Sequence, residues 1–275
     1  MTGRILGFIG NRPELGSRLL RTHANLLDVN ADEPVGWGVG FYQVGELLLR
    51  RRPIDDRSVI PVASLAEKVD TDIFVGHVGR PAVGELRTEN TQPFRYRQWL
   101  FAQLGTTAQY TTLRPRLLGA VPEFLQRNRR GESDSELVFY AVLAVLHERD
   151  LLHSPMLSAE QLCAGLKAAA NRLDDVSDHA GVAHDDFDVL LTNGELLGVL
   201  HRSGTLATRV VAGRREVEEI LGDDLGSIAR SQSAEKARCT VVAGPLQALP
   251  PSWQPLPRPS VLALSRTEEP TVVAL

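Results

Sequence analysis

The sequence predicts an α+β fold in which antiparallel sheets carry helices on their outer sides. Three observations predict it. Short apolar runs of strand length open the chain, at 4–9, 36–42 and 72–78, and similar runs close it, at 208–211, 240–243 and 261–264. Two long helical patterns lie between them, beginning at Ser133 and Ser158. Strands at both ends with helices grouped between suit sheets that bury one face on each other and take helices on the other.

The elements follow in order. Ile5, Leu6, Phe8 and Ile9 make the first nine residues a buried strand, ended by Asn11-Arg12-Pro13. Leu19, Leu20, His23, Leu26 and Leu27 fall on one face of a helix over 17–27, and His23 reads as a packing residue rather than a ligand. Residues 30–34 form a loop. Residues 36–42 and 44–50 make a hairpin. Its first strand alternates glycines with bulky residues, which suits close approach by another backbone. Arg50-Arg51-Arg52 reads as a solvated strand end, because nothing aromatic is interleaved. A short helix over 64–69 precedes central strands at 72–78 and 98–103.

Ser133 and Glu136 carry the spacing of a capping box at the start of a long buried helix. Ser158 opens a second helix that runs through Leu173 and encloses Cys163 as an inert buried thiol. Residues 187–200 form a hairpin with Asn193-Gly194 as a type I′ turn signal. Asp174-Asp175, Asp178-His179 and His184-Asp185-Asp186 offer metal-ligand side chains, but read as a solvated helix-to-strand connection. The proline-rich segment 250–259 is a surface loop.

The chain has 275 residues, 43% of them hydrophobic and 23% charged, enough for a substantial core without staples. A net charge of −4 predicts no nucleic-acid footprint. Cys163 and Cys239 lack CxxC spacing. No long apolar run or signal peptide is present, so the expected location is cytoplasmic, away from membranes. No metal or cofactor is expected.

Five motifs then follow one another: Gly36-Trp37-Gly38-Val39-Gly40-Phe41-Tyr42, Val75-Gly76-His77-Val78, Glu89-Asn90-Thr91-Gln92-Pro93-Phe94, Trp99-Leu100-Phe101-Ala102-Gln103-Leu104-Gly105-Thr106 and Gly131-Glu132-Ser133-Asp134-Ser135-Glu136. In this order and spacing the chain resembles the class II glutamine amidotransferases, in the small single-domain branch that includes the ergothioneine-pathway amidohydrolase. The likeness is close over the first half and loose beyond it. It implies one domain over 1–275 and sharpens the fold to the four-layer α-β-β-α sandwich of N-terminal-nucleophile (Ntn) hydrolases, two antiparallel sheets flanked by helices. It also implies an N-terminal cysteine nucleophile whose α-amine is the base. In that family, the resemblance further implies, an Asn-Gly oxyanion pair follows a histidine, an arginine clamps the glutamine α-carboxylate, and an aspartate holds its α-amine.

The chain departs from that pattern in three motifs. The family strand begins Cys-Arg-x-Leu-Gly, and aligning Arg4-Ile5-Leu6-Gly7 puts Gly3 at the cysteine. The oxyanion motif is matched by Gln103-Leu104-Gly105: Gly105 keeps a backbone N–H, whereas Leu104 has no side-chain donor. Loss of one such donor typically costs ~10²–10³ in rate. The clamp arginine is Gly79, two residues after His77. Arg80 is adjacent, but one step along a strand turns a side chain to the other face. Asp134 matches the amine anchor and also fits a helix N-terminal acid. Trp37 and Phe94 read as core.

The resulting expectation is a class II amidotransferase-like protein that lacks the chemistry and acts by binding. It would be a non-catalytic partner of another protein, a homo-oligomer, or a ligand-binding subunit. With Asp134 in the pocket and no clamp guanidinium, a ligand there would be neutral or cationic. An alternative is an active Ntn amidohydrolase that uses Thr2, exposed by removal of Met1, on a γ-glutamyl or other amide. Thr2 sits one position before the family cysteine, so strand alternation aims it at the wrong face. A third reading is a structural subunit of a larger synthase.

Overall fold

In the computed structural model, which describes residues 3–27, 35–53, 69–221, 235–246 and 248–275, β1 (Arg4–Gly10) lies at the centre of a seven-stranded sheet. On one side it pairs with β4 (Ile73–Gly79), followed outward by β2 (Gly36–Gln43) and β3 (Glu46–Pro53). On the other side come β10 (Arg238–Gly244), β9 (Ala207–Ala212) and β11 (Gln254–Pro255). The second sheet has six strands. They run β13 (Thr271–Ala274), β12 (Ser260–Leu264), β8 (Leu197–His201), β7 (Asp188–Thr192), β6 (Trp99–Leu104) and β5 (Phe94–Tyr96). Every pairing is antiparallel.

Strand alternation distributes the core. Ile5 and Ile9 of β1, with Ile73 and Val75 of β4, meet Leu100, Ala102, Leu104, Leu190, Val199 and Leu262 between the sheets. Leu6, Phe8, Phe74 and Val78 point the other way. There they pack under α1 (Pro13–Thr22) and α6 (Gly213–Leu221), the latter through Val217. The outer face of the six-stranded sheet is covered by α2 (Tyr110–Ala120), α3 (Glu123–Gln126), α4 (Asp134–Glu148) and α5 (Ala159–Ala180). α4 is buried on all sides from Asp134 to Leu146, which is why its sequence is apolar all round rather than striped. The result is the expected four-layer α-β-β-α sandwich. Each fully buried Leu or Ile in these layers contributes roughly 1.5–3 kcal/mol.

Several local expectations change. The first helix starts at Pro13, with the proline in its first turn, and ends at Thr22. A 3-10 turn (Ala24–Leu27) follows. His23 is buried edge-to-face against Trp253, with ring centroids 5.3 Å apart. The expected helix over 64–69 lies outside the described residues except for Val69, and the 30–34 loop lies outside them entirely. At Ser133 only half a capping box forms. Its Oγ accepts from Glu136 N (3.2 Å), but the Glu136 carboxylate accepts from Arg130 N (3.0 Å) and Gly131 N (2.8 Å). The complete box is at Ser158 and Gln161, and α5 continues past Leu173 to Ala180, where Gly181 closes it at φ 66°.

Asn193-Gly194 is not a type I′ turn. Thr192 pairs with Leu197, so four residues connect the strands, and Asn193 Oδ1 accepts from Glu195 N and Leu196 N at 3.0 Å each. A local side-chain acceptor outcompetes the two-residue turn. The two-residue turn with positive φ at both positions falls instead on Val44-Gly45 (52° and 77°), where Gln43 pairs with Glu46. Of the three arginines, Arg50 and Arg52 are exposed. Arg51 is half-buried and donates to Thr91 O (3.1 Å) and Pro93 O (3.4 Å) while lying over the Phe94 ring. The acidic stretch is mostly helical. Asp174 takes a forked contact from Arg202 (2.7 and 2.5 Å), and His184 Nε2 lies 2.8 Å from Asp178 Oδ1. Among the described residues no group of three or more His, Cys, Asp or Glu could hold a metal ion, and no helix is long and apolar enough to cross a membrane.

Close approach between the sheets is set at Gly38. A Cβ there would stand 2.0 Å from Gln92 O, a backbone atom that cannot rotate away. Gly38→Ala is expected to destabilise the fold by about 3 kcal/mol or more. Gly119→Ala, in α2 with no atom within 4 Å of the new methyl, is expected to stabilise it by up to about 1 kcal/mol. Urea unfolding midpoints of the two variants check the pair.

Candidate functional site

The inter-sheet layer ends in a cavity of about 60 Å³, lined by Gly3, His77, Gly79, Arg80, Gln92, Gln103, Leu104, Gly105 and Ser135 among others. Three strands bring its parts together. Gly3 shares the alternation of Ile5 and Ile9 and so faces the second sheet, while Arg4 pairs with Val78 and places Gly79 beside it. Leu104 closes β6 opposite. A Cβ on Gly3 would lie 3.0 Å from Leu104 Cδ1. A Cβ on Gly79 would lie 2.9 Å from His77 Cε1 and 3.3 Å from Gly3 Cα. Residues 3, 79 and 104, which the motif resemblance sets at a thiol, a guanidinium and a side-chain amide, therefore lie together, and a side chain at residue 3 would press on Leu104. Ligand pockets typically measure ~300–1,000 Å³; this one has the volume of about two water molecules.

Gln103 precedes Leu104 on β6, at the position the motif resemblance matches to a histidine. The side chain of Gln92 grips its backbone, with Oε1 accepting from Gln103 N (2.6 Å) and Nε2 donating to Gln103 O (3.1 Å). The Gln103 amide itself is buried with neither atom hydrogen-bonded, and His77 Nδ1 is in the same condition. Burial pushes the His77 imidazole down to about 4, so the ring is neutral at neutral pH. Gly105 has φ 106°, a conformation open to glycine, and a Cβ there would meet Asp186 O at 2.9 Å.

Two predicted placements change. Asp134 does not line the cavity. It is fully buried behind it, with Oδ2 accepting from Thr107 N (2.9 Å) and Ser135 Oγ 3.5 Å from Oδ1. The negative bias expected in the cavity, and with it the preference for a neutral or cationic ligand, loses its source. Arg80 does line the cavity. β4 ends at Gly79, so strand alternation does not reach residue 80. Met1 and Thr2 lie outside the described residues. Trp37 and Phe94 are core. Cys163 and Cys239 sit in the two helix-side clusters, away from the cavity, and burial pushes their thiols up to about 11 and about 12, far from thiolate reactivity.

Sequence reasoning missed Asp185, which it placed in a solvated connection. Asp185 is buried and its Oδ1 accepts from Ala108 N at 2.6 Å. With Asp134 it holds the loop that follows Gly105. Burial raises both carboxyls, Asp185 to about 6. A signal was present: the N–H groups between Gly105 and Tyr110 belong to no strand or helix, so buried acceptors had to come from elsewhere.

The sequence profile described as class-II glutamine amidotransferases matches residues 18–272. The chain belongs to this family. It is 30% identical over 125 residues to the uncharacterized protein MJ1515 of Methanocaldococcus jannaschii, which covers 44% of the chain and 33% of that protein. It is 26% identical over 117 residues to the "Probable glutamine amidotransferase DUG3" of Saccharomyces cerevisiae, covering 40% of the chain and 33% of that protein. The matches to these curated relatives span about a third of their length. Among solved structures, a glutamine aminotransferase class-II domain protein from Silicibacter pomeroyi has a TM-score of 0.61 at 19% identity, covering 98% of both chains. A predicted glutamine amidotransferase from Pseudomonas aeruginosa has a TM-score of 0.58 at 17% identity, covering 99% of this chain and 100% of that one. These two likenesses establish the amidotransferase fold.

The pKa of His77 yields a signed prediction. Its folded value of about 4 lies below the ordinary 6.5, so the unfolded chain takes up the proton first. Its contribution is complete above pH 6.5 and is lost as pH falls toward 4. Asp185, raised on folding, works in the opposite sense over the window from about 6 down to 3.8. His77→Gln should therefore lose less stability than the parent on going from neutral pH to about pH 4.5, by about 2–3 kcal/mol. Urea unfolding at the two pH values reads it, and equal losses in both proteins would refute the assignment.

Proposed function

We propose that this class II amidotransferase relative is a non-catalytic homologue that acts by binding, as a partner subunit or as one chain of a homo-oligomer. The observation that carries the reading is the contact between positions 3 and 104. The strand that offers a nucleophile in the family presents glycine here, and a Cβ at that position would stand a tight 3.0 Å from a methyl of Leu104. Three further features support it. Gly79 supplies no guanidinium, Leu104 supplies no side-chain donor, and the remaining cavity of about 60 Å³ is too small to enclose glutamine. Amide hydrolysis requires a nucleophile, oxyanion donors and a grip on the substrate; at this cavity Gly3 offers no nucleophile, and the groups left for the other two roles are the Gly105 N–H and Arg80.

The purified protein is expected to release no ammonia from glutamine or from γ-glutamyl amides in a coupled glutamate assay. Turnover abolished by Thr2→Ala would overturn the proposal in favour of an amidohydrolase with Thr2 as nucleophile. Intact mass supplies an independent check, since that alternative requires loss of Met1.

Gly3→Cys is expected to leave the protein without glutaminase activity. The Cβ of the new residue would come within 3.0 Å of Leu104 Cδ1, and Leu104 and Gly79 would still supply neither a side-chain donor nor a guanidinium. Measurable glutamine hydrolysis by the single variant would contradict this account of the cavity.

A further inference from the structure

A second concavity, about 830 Å³ in volume, lies where the edge strands β3 and β5 of the two sheets face α3 and the start of α4. It shares no lining residue with the small cavity. Five arginines line it, Arg51, Arg95, Arg97, Arg127 and Arg130, against one carboxylate, Glu136. The chain as a whole carries a net charge of −4, so this concentration of one sign is local.

The positive charge is compensated only in part, since Glu136 and, from outside the lining, Glu89 are the carboxylates that act on Arg51. Both Glu136 oxygens accept from backbone N–H groups, those of Arg130 and Gly131, which turns the only acid of the groove into a loop clamp. Arg51 donates to the carbonyls of Thr91 and Pro93, and Arg95 to those of Leu47 (3.0 Å) and Arg97 (3.0 Å). Neutral carbonyls fix the two guanidinium planes without cancelling their charge, and each guanidinium keeps further N–H donors. Arg97 lies over the Tyr96 ring, with its carbon 5.6 Å from the centroid. Arg127 alone pairs with an acid, Glu123, and Arg130 makes no side-chain ion pair among the described residues. Burial also lowers the pKa of Arg51, the signature of a cation kept in a partly dry site.

We propose that this groove binds a small organic anion carrying two or more phosphate groups. Guanidinium forks match phosphate oxygens in pairs, and several phosphates on one molecule match several arginines around one concavity. The volume falls within the ~300–1,000 Å³ of small-ligand pockets, and the low-dielectric walls of a half-enclosed groove strengthen its field. The composition of this surface was not visible in the sequence, because the arginines come from three separate segments.

Isothermal titration of the full chain with inorganic tripolyphosphate at low salt tests the site. Saturable one-to-one binding is expected, weakening as salt rises. Arg97→Gln and Arg130→Gln are exposed changes expected to preserve the urea unfolding midpoint and to weaken binding roughly tenfold or more. Arg172→Gln, whose partner Glu148 lies outside the groove, should leave binding unchanged. No saturable heat, or the same loss in all three variants, would overturn the proposal. Tighter binding of a polyglutamate peptide or a single-stranded oligonucleotide than of tripolyphosphate would overturn it in favour of a macromolecular partner. The result is independent of whether the protein turns over amides.

Discussion

β1 is buried along almost its whole length between β4 and β10, with one face against the second sheet and the other against helices. That double burial fixes its register, because a slip of one residue would exchange every inner side chain for an outer one. The second sheet then comes close through glycines. A Cβ on Gly7 would lie 3.0 Å from Leu197 Cδ2, and one on Gly40 would lie 2.6 Å from Leu100 Cδ1. The place where this apolar layer runs out is thereby determined, and it is where Gly3, His77, Gly79 and Leu104 gather. The small cavity is the end of the core rather than a cleft cut into the surface.

Charge is handled alike at both ends of the molecule's polar chemistry. Asp134 and Asp185 give their oxygens to the backbone N–H groups of Thr107 and Ala108, and Glu136 to those of Arg130 and Gly131. Arg51 and Arg95 give their N–H groups to backbone carbonyls. Peptide dipoles, not counterions, hold these side chains. A carboxylate so held is oriented by the loop it serves, with acceptor sites left over. A guanidinium has five donors, so tethering two of them still leaves a directed cation.

Most of the long strands and the two hairpins were legible as short apolar runs, whereas the order of strands within each sheet was not, because it depends on pairings between distant segments. The long helices were legible from their caps and apolar content. The four layers came through resemblance, since periodicity in one strand cannot say what lies above it. Illegible features all depend on contacts distant in sequence or on where an element stops. Phe94 reaches Arg51 from the other sheet, so the three-arginine run looked uniformly solvated. Arg80 lies one residue beyond the strand end, where alternation ceases to apply. Asp134 carried the right motif but serves the 105–109 loop, and Asp185 looked solvated until that loop needed an acceptor. Asn193 showed the turn dipeptide, yet its own side chain capped a longer connection.

The packing at Gly3, Gly79 and Leu104 also bears on how this region of the sequence can change over time. A side chain at 3 asks the Leu104 side chain to give by a few tenths of an ångström, and a side chain at 79 requires His77 to shift. No one of these positions can therefore be exchanged freely against a fixed background. In this chain the four positions are sterically coupled, so that a side chain added at 3 is felt at 104 and one added at 79 is felt at 77.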